Sequence, residues 1–480
     1  MTVQRPATKE QTMHCDDLCY APARLVAGRI ASGALSPVEA VDAAIERAER
    51  LHDTLNCIAV PRYERAREEA LAAAVAVSTG AALGPLHGVP ITIKDNIATA
   101  GDRLTHGSHA CADLVAQSDQ VLAARLRAAG AIVIGKTTLP EFAHKMLTDS
   151  PRYGTTRNPW SLDHTPGGSS GGASAAVAAG IGVLSVGTEG GGSIRCPASC
   201  TGILGLKATL GRIPYETFTE GFANFVFAGP MTRDVGDMAL MLSIMSGEDP
   251  RDPHSLGVPP AARAPSVWEG PDLRGLRVGW LPHFGRYRAE PEVAALTGAT
   301  MTALAADGAE VEAIETTIFD DVFDYYVVVA TVSRATLTPP HLKLHGERMT
   351  ESLKDMVRQG AGYSAVEHQQ ASDRRTVLFR NVQALLSRYD VLAMPTLLGA
   401  PKPVDAGGSM NTPMYAEWCA PLYPFNLTGH PALSVPSGRN SQGLPVGLQI
   451  VGRWYDERLL LDIARHLELT RPWAQLRPAI

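Results

Sequence analysis

A chain of 480 residues, 45% hydrophobic and 19% charged, can bury a large core, either as one large α/β domain or as two or more average ones. A formal net charge of −6 with no long basic run argues against nucleic acid and an anionic membrane surface as main partners. The opening MTVQRPATKEQTMHCDDLCY is polar and lacks the apolar region of a secretory signal, so the expected location is cytoplasmic. The weakly polar stretch 173–187 is too short to span a bilayer and is broken by Gly180 and Gly182. The seven cysteines are scattered, with no histidine cluster placed to complete a zinc site; they read as buried free thiols, and no metal is expected.

In chain order, the first strong element is a helix over 37–50. Ser36 suits its N-cap, Pro37 its first position, and Glu39 a capping box. Val38, Val41, Ala44, Ile45 and Ala48 form its apolar stripe. A second helix starts near residue 62. GVPITIKDNI (88–97) reads as a short strand ending in a polar turn, and 118–130 as a helix stopped by Gly130. AIVIG (131–135) and GVLSVG (182–187) read as buried strands. The proline-rich stretch 247–273 reads as a surface connection. Beyond it, LRVGWL and AEVEAI look like strands around a helix, about 321–388 is mostly helical, and strand signals return at 390–396, 432–438 and 446–452. Helices alternating with short apolar strands predict an α/β layered fold in which the late strands rejoin the early sheet.

Two motif matches fail on context. GAIVIGKT (130–137) fits a phosphate-binding loop, but its intervening residues are the strand itself rather than a loop aiming N–H groups at an anion. GGSSG (167–171) fits a nucleophile elbow, but RNPWSLDHTP precedes it with two prolines and no apolar strand. That hydrolase reading, with His430 available as a base, stays a weak runner-up. GTEGGGSIRCPA (187–198) does follow an apolar strand. Without Cβ atoms, Gly190, Gly191 and Gly192 let several N–H groups converge beside Ser193, as a tetrahedral acyl intermediate requires. Ser193 is therefore the best nucleophile candidate on strand-and-loop logic.

GVPITIKDNI, GKTTLPEFA, YGTTRNPW, PGGSSGGASAAVAAG, GTEGGGSIR, GILGLK, FNLTGHPALSVPSG and GLPVGLQIVG occur in this order over roughly residues 20–470. With them the chain resembles the amidase signature family of serine-dependent amide hydrolases. The resemblance implies an α/β fold, a central mixed β-sheet flanked on both faces by α-helices, in a single domain over 1–480. Its parts would be N-terminal helices at about 20–75, a signature core at 76–246, the connection at 247–273, a mostly helical elaboration at 275–390 and returning strands at 390–480. It further implies a Ser-cisSer-Lys triad. Ser193 would be the nucleophile, Ser169 the bridging residue after a cis peptide bond, and Lys94 the terminal base. Gly190, Gly191, Gly192 and Ser193 would form the oxyanion hole. Ser170 would support the relay, and Arg195 would anchor the loop through an ion pair. The chain departs from the family pattern at Thr138, Ala173, Glu189 and Ala208, where Asn, Ser, Asp and Pro are usual; the longer Glu189 side chain could shift the oxyanion loop.

A lysine has an ordinary pKa of about 10.4, so it acts as a base only where burial disfavours the ammonium form. For the substrate, Phe218, Phe222, Phe225 and Phe227 after the core motifs, with Tyr325, Tyr326, Trp418 and Tyr423 further on, are candidates to line an apolar pocket. The expected substrate is a small aryl or otherwise apolar amide, cleaved without a cofactor; a homodimer is one assembly to test. The alternative is the glutaminase component of a tRNA-dependent amidotransferase.

Overall fold

The helix Pro37–Arg50 begins as its capping residues dictate. Ser36 Oγ accepts from the Val38 N–H at 3.2 Å, and Glu39 Oε2 accepts from the Ser36 N–H at 2.9 Å. Its buried Val41, Ala44, Ile45 and Ala48 join one core with Ile132 and Ile134 and with Ala175 and Ala176. The computed structural model describes residues 15–216, 221–262, 268, 270–407 and 412–480.

Thirteen strands are described. In the first half these are β1 (Ile58–Pro61), β2 (Pro90–Lys94), β3 (Ile132–Thr137), β4 (Asp149–Ser150), β5 (Gly154–Thr155) and β6 (Leu184–Glu189). Then come β7 (Leu204–Lys207), β8 (Phe227–Thr232), β9 (Arg277–Trp280), β10 (Glu310–Ala313), β11 (Val391–Pro395), β12 (Ala432–Arg439) and β13 (Pro445–Val451). Eleven form one sheet in the order β1-β3-β2-β6-β8-β7-β12-β13-β11-β9-β10, and β4 and β5 form a separate pair. The large sheet is mixed: β2 runs parallel to β3 and β6, whereas β6–β8, β12–β7 and β12–β13 are antiparallel.

Both faces of this sheet are covered. Along β3, Val133 packs into one core with Leu122 and Leu126 of the Val121–Ala128 helix, while Ile132 and Ile134 face the Pro37–Arg50 helix on the other side. Alternation with period two on a strand buried on both faces explains why AIVIG reads as a continuous apolar run. Residues 130–137 are Gly130, Ala131 and β3, so the phosphate-loop match falls on a strand. No helix or strand lies in 247–273 among the described residues. The 275–390 segment is more than a helical elaboration. Its β9 and β10 extend the sheet edge in parallel from β11. Four helices, Val322–Leu337, Pro339–His345, Glu351–Gly362 and Ala365–Arg388, then follow before the chain returns to the sheet. Cys57, Cys111, Cys196, Cys200 and Cys419 are buried free thiols. Among the described residues no helix is long and apolar enough to cross a membrane.

The capping box can be tested directly. Ser36→Ala removes the acceptor for the first turn and is expected to lower stability by about 1 kcal/mol. Urea denaturation should show a lower midpoint with an unchanged slope.

Candidate active site

Lys94 is the last residue of β2 and is fully buried. Its Nζ donates to Ser169 Oγ at 2.7 Å, Ser170 Oγ at 2.8 Å and the Thr188 carbonyl at 3.2 Å. Among the described residues no carboxylate touches the amine. Burial pushes its pKa well below the ordinary lysine value; the nearby Arg334 guanidinium acts in the same direction, and Glu189 opposes it. Ser170 Oγ also donates to the Thr188 carbonyl at 3.1 Å and accepts from the Thr188 N–H at 3.3 Å, which fixes that hydroxyl against β6.

Ser169 and Ser170 end the segment that feeds the helix Gly171–Ala178, all eight of whose residues are buried. The Gly168–Ser169 peptide bond is cis. Close approach explains the glycine at 172: a Cβ there would lie 2.5 Å from the Thr138 backbone nitrogen and 2.6 Å from its carbonyl oxygen. Only a residue without a side chain lets this helix start against the end of β3. Thr138, where the family pattern has Asn, is held there by a 2.7 Å hydrogen bond to Thr156 Oγ1.

Ser193 follows β6 and the three glycines. The Ser193 carbonyl accepts from the Ser170 N–H at 3.1 Å, which ties the two serine segments together. The Ser193 hydroxyl faces Met146 Sδ at 3.6 Å. Gly191 lies so near the helix Val322–Leu337 that a Cβ would fall 2.0 Å from the Tyr326 hydroxyl oxygen. Residues 190–193 lie between β6 and the helix Arg195–Thr201, and the Gly192 carbonyl accepts from the Cys196 N–H of that helix at 2.8 Å.

Glu189 clamps the two ends of this loop. Its carboxylate accepts from the Ile194 N–H at 3.0 Å and the Arg195 N–H at 3.3 Å, and pairs with Arg195 Nη2 at 2.7 Å. Arg195 is fully buried and also donates to Gln449 Oε1 at 2.5 Å, Asn426 Oδ1 at 2.7 Å and the Leu422 carbonyl at 3.0 Å. The longer side chain at 189 reaches back to the start of the following helix and leaves Gly190 and Gly191 on the cavity wall.

That cavity has a volume of about 370 Å³, and Ser169, Gly190, Gly191 and Ser193 all line it. Of the expected aromatic lining, Phe225 and Tyr326 are on the wall. Five expectations need correction, Tyr423 among them. Phe222 is 81% exposed to solvent, Phe227 is turned within β8 onto Lys207, Tyr325 lies under Arg374, and Trp418 is buried with its indole N–H on the Gly399 carbonyl. Tyr423 stands behind the wall, its ring stacked on Tyr326 with centroids 4.9 Å apart. Phe218 lies outside the described residues. The elbow alternative fails on geometry as well: His430 is packed against Phe379 and Trp454, is hydrogen-bonded to Thr428, and is not part of the cavity wall.

The wall also holds residues that sequence reasoning did not single out, among them His106, Phe142, Met146, Arg334 and Tyr415. His106 (φ 51°), Phe142 (φ 49°) and Ala143 (φ 57°) adopt left-handed backbone at the wall. Such conformations are uncommon for residues with a side chain and persist where surrounding structure enforces them. Nothing in the local sequence marks them. Among the described residues no group of three or more His, Cys, Asp or Glu side chains is placed to hold a metal ion.

The amidase family profile matches residues 39–461. The chain belongs to the amidase signature family of amide hydrolases. It is 36% identical to an acylamidase of Rhodococcus erythropolis over 98% of each chain. It is 35% identical to the A component of a glutamyl-tRNA(Gln) amidotransferase from a Synechococcus strain, over 94% of this chain and 97% of that one. The fold is similar to that of a bacterial aryl acylamidase of the amidase signature family. That match has a TM-score of 0.86 at 28% identity and covers 95% of this chain and 97% of the other.

Arg195→Met tests the clamp. It leaves the buried Glu189 carboxylate without its cation, and losing one partner of a buried pair costs about 3–5 kcal/mol. Chemical denaturation should report a loss of that order, far larger than for an exposed pair such as Arg274–Asp272.

Proposed function

We propose that this amidase cleaves a carboxylic amide through an acyl-enzyme on Ser193, with Ser169 relaying protons to Lys94. The observation that carries the reading is the buried Lys94 amine on Ser169 Oγ, in a cavity whose wall includes both Ser169 and Ser193. A neutral amine has two protons and one lone pair. The Ser170 hydroxyl and the Thr188 carbonyl are placed to accept the two protons, which turns the lone pair towards Ser169. Ser193 Oγ then turns from Met146 towards Ser169; catalytic hydrogen bonds are often long before substrate binds.

The chemistry follows from these positions. Ser193 Oγ attacks the amide carbon, its proton passes to Ser169, and the Ser169 proton passes to Lys94. N–H groups of residues 190–193 hold the oxyanion. Ser169 returns a proton to the departing nitrogen and regains one from Lys94 as the C–N bond breaks. Water then attacks the ester, releasing the carboxylic acid and restoring the Ser193 hydroxyl. Leu104, Phe142, Phe225, Val226 and Leu337 on the wall favour an aryl or otherwise apolar portion in the substrate. The similarity to the amidotransferase component keeps a second reading, a glutaminase that works with partner chains.

Three measurements test these readings. Ser193→Ala should lower kcat for amine release by at least about a thousandfold with an unchanged circular dichroism spectrum; substantial residual turnover rules out the nucleophile. For wild type, kcat/KM should rise with pH as Lys94 loses its proton, on a limb below the ordinary lysine pKa. Lys94→Ala should lose that limb, and a mutant that keeps it identifies another base. The purified chain alone should release aniline from anilides. Glutamine turnover appearing only with added partner chains favours the second reading.

A further inference from the structure

The charges facing the cavity do not balance. Among the described residues its one acidic side chain, Glu189, is committed to Arg195, and Lys145 is paired with Asp149 at 2.7 Å. Burial holds His106 and His144 near pKa 3 and lowers His341 below its ordinary value, so all three imidazoles are neutral at pH 7, and the same effect favours the uncharged Lys94 amine. Arg334 is what remains. It lies half-buried on the wall, and among the described residues its guanidinium has no ion pair and no hydrogen-bond acceptor. The groups acting on its charge are the phenols of Tyr326 and Tyr215, and no carboxylate is among them.

A guanidinium cannot relieve this by losing its proton. Other buried guanidiniums have oxygen acceptors, a carboxylate for Arg195 on Glu189 and Arg212 on Glu457 and backbone carbonyls for Arg233. A guanidinium without a carboxylate partner, in a cavity whose wall mixes apolar and neutral polar side chains, is built to receive an anion from outside, and its planar donor fork fits a carboxylate in two-point contact. Its distance from the reacting centre follows from the helix. Tyr326 abuts Gly191, and Arg334 leaves the same helix, Val322–Leu337, eight residues later, about 12 Å along the axis. Side chains lean back towards the helix N-terminus, so the guanidinium tilts towards the glycine loop.

We propose that Arg334 is a specificity residue that binds a carboxylate carried by the substrate several bonds from the scissile carbon. This rests on the amidase reading above and sharpens it: the preferred substrates are anionic amides, with an apolar middle and a carboxylate at the far end. Half-amides of dicarboxylic acids carry that group on the acyl side. Acylated aminobenzoates carry it on the amine side.

The test uses the full chain and two matched pairs, glutaranilic acid with its methyl ester and 4-acetamidobenzoic acid with its methyl ester, read by amine release. In wild type the acid of at least one pair should have a kcat/KM about tenfold or more above its ester, as a charge-assisted contact supplies. The responding pair identifies the side that carries the carboxylate. Arg334→Gln should bring that ratio to about one, and Arg334→Lys should keep part of it, since the charge stays but the fork is lost. Acids no better than esters in both pairs, or a ratio unchanged in Arg334→Gln, overturns the proposal. Cleavage of neutral anilides without any acid preference removes the carboxylate site and leaves the amidase reading standing. If no anilide is cleaved, titration calorimetry with glutarate and benzoate decides. Saturable binding to wild type that Arg334→Gln abolishes supports the site, and no binding to wild type overturns it.

Discussion

The site depends on an amine held out of water with only hydroxyl and carbonyl oxygens for partners. A lysine beside a carboxylate stays an ammonium ion, because the pair stabilises the charged form. Lys94 has no such partner among the described residues. Ser169, Ser170 and the Thr188 carbonyl meet its donors, and burial pulls its pKa down. Burial alone does not make a base. Lys207 is also fully buried, sits 4.1 Å over the Phe227 ring centroid and donates to the Ala208 carbonyl. It shares the depressed pKa, yet it is not on the cavity wall. Lys136 is the contrast: Asp95 lies 3.8 Å from its amine and partly offsets the effect of burial. Position at the mouth of a strand, facing two serines, separates Lys94 from the other two.

Two long-range constraints hold the rest of the site against that strand. Through Glu189 and Arg195 the glycine loop is tied to Leu422, Asn426 and Gln449, more than two hundred residues away in sequence. The Val322–Leu337 helix closes the other side, with the Tyr326 hydroxyl where a side chain on Gly191 would be. The loop is therefore bounded on both sides by segments that enter the fold after the signature core. In the proposed mechanism, donors held in this way need no rearrangement when charge develops.

The proposed triad residues could be singled out because they sit in contiguous motifs with local reasons for their residue types. Glycines permit close backbone approach, Ser36, Pro37 and Glu39 announce a helix start, and apolar runs announce buried strands. The aromatic lining was not legible. Tyr325 and Tyr326 are adjacent in sequence, yet a helix turns about 100° per residue. One ring faces the glycine loop and the other lies beneath Arg374. Phe225 and Phe227 part for another reason: Phe225 precedes β8 and is on the wall, whereas Phe227 lies in β8 against Lys207. Aromatic composition cannot say which ring faces which space.

By itself the sequence determined the α/β layering, the family, and the lysine, two serines and glycine loop placed in one chemical scheme, because each is written in a short stretch whose neighbours carry the physical reason. Only the tertiary structure decided what surrounds them. It set the place of β9 and β10 beyond β11 in the sheet, the clamp of Arg195 on distant segments, the left-handed backbone at His106, Phe142 and Ala143, and an Arg334 guanidinium with no ion pair among the described residues. These depend on which remote segments pack together, and charge balance inside a cavity is a property of the assembled walls rather than of any segment.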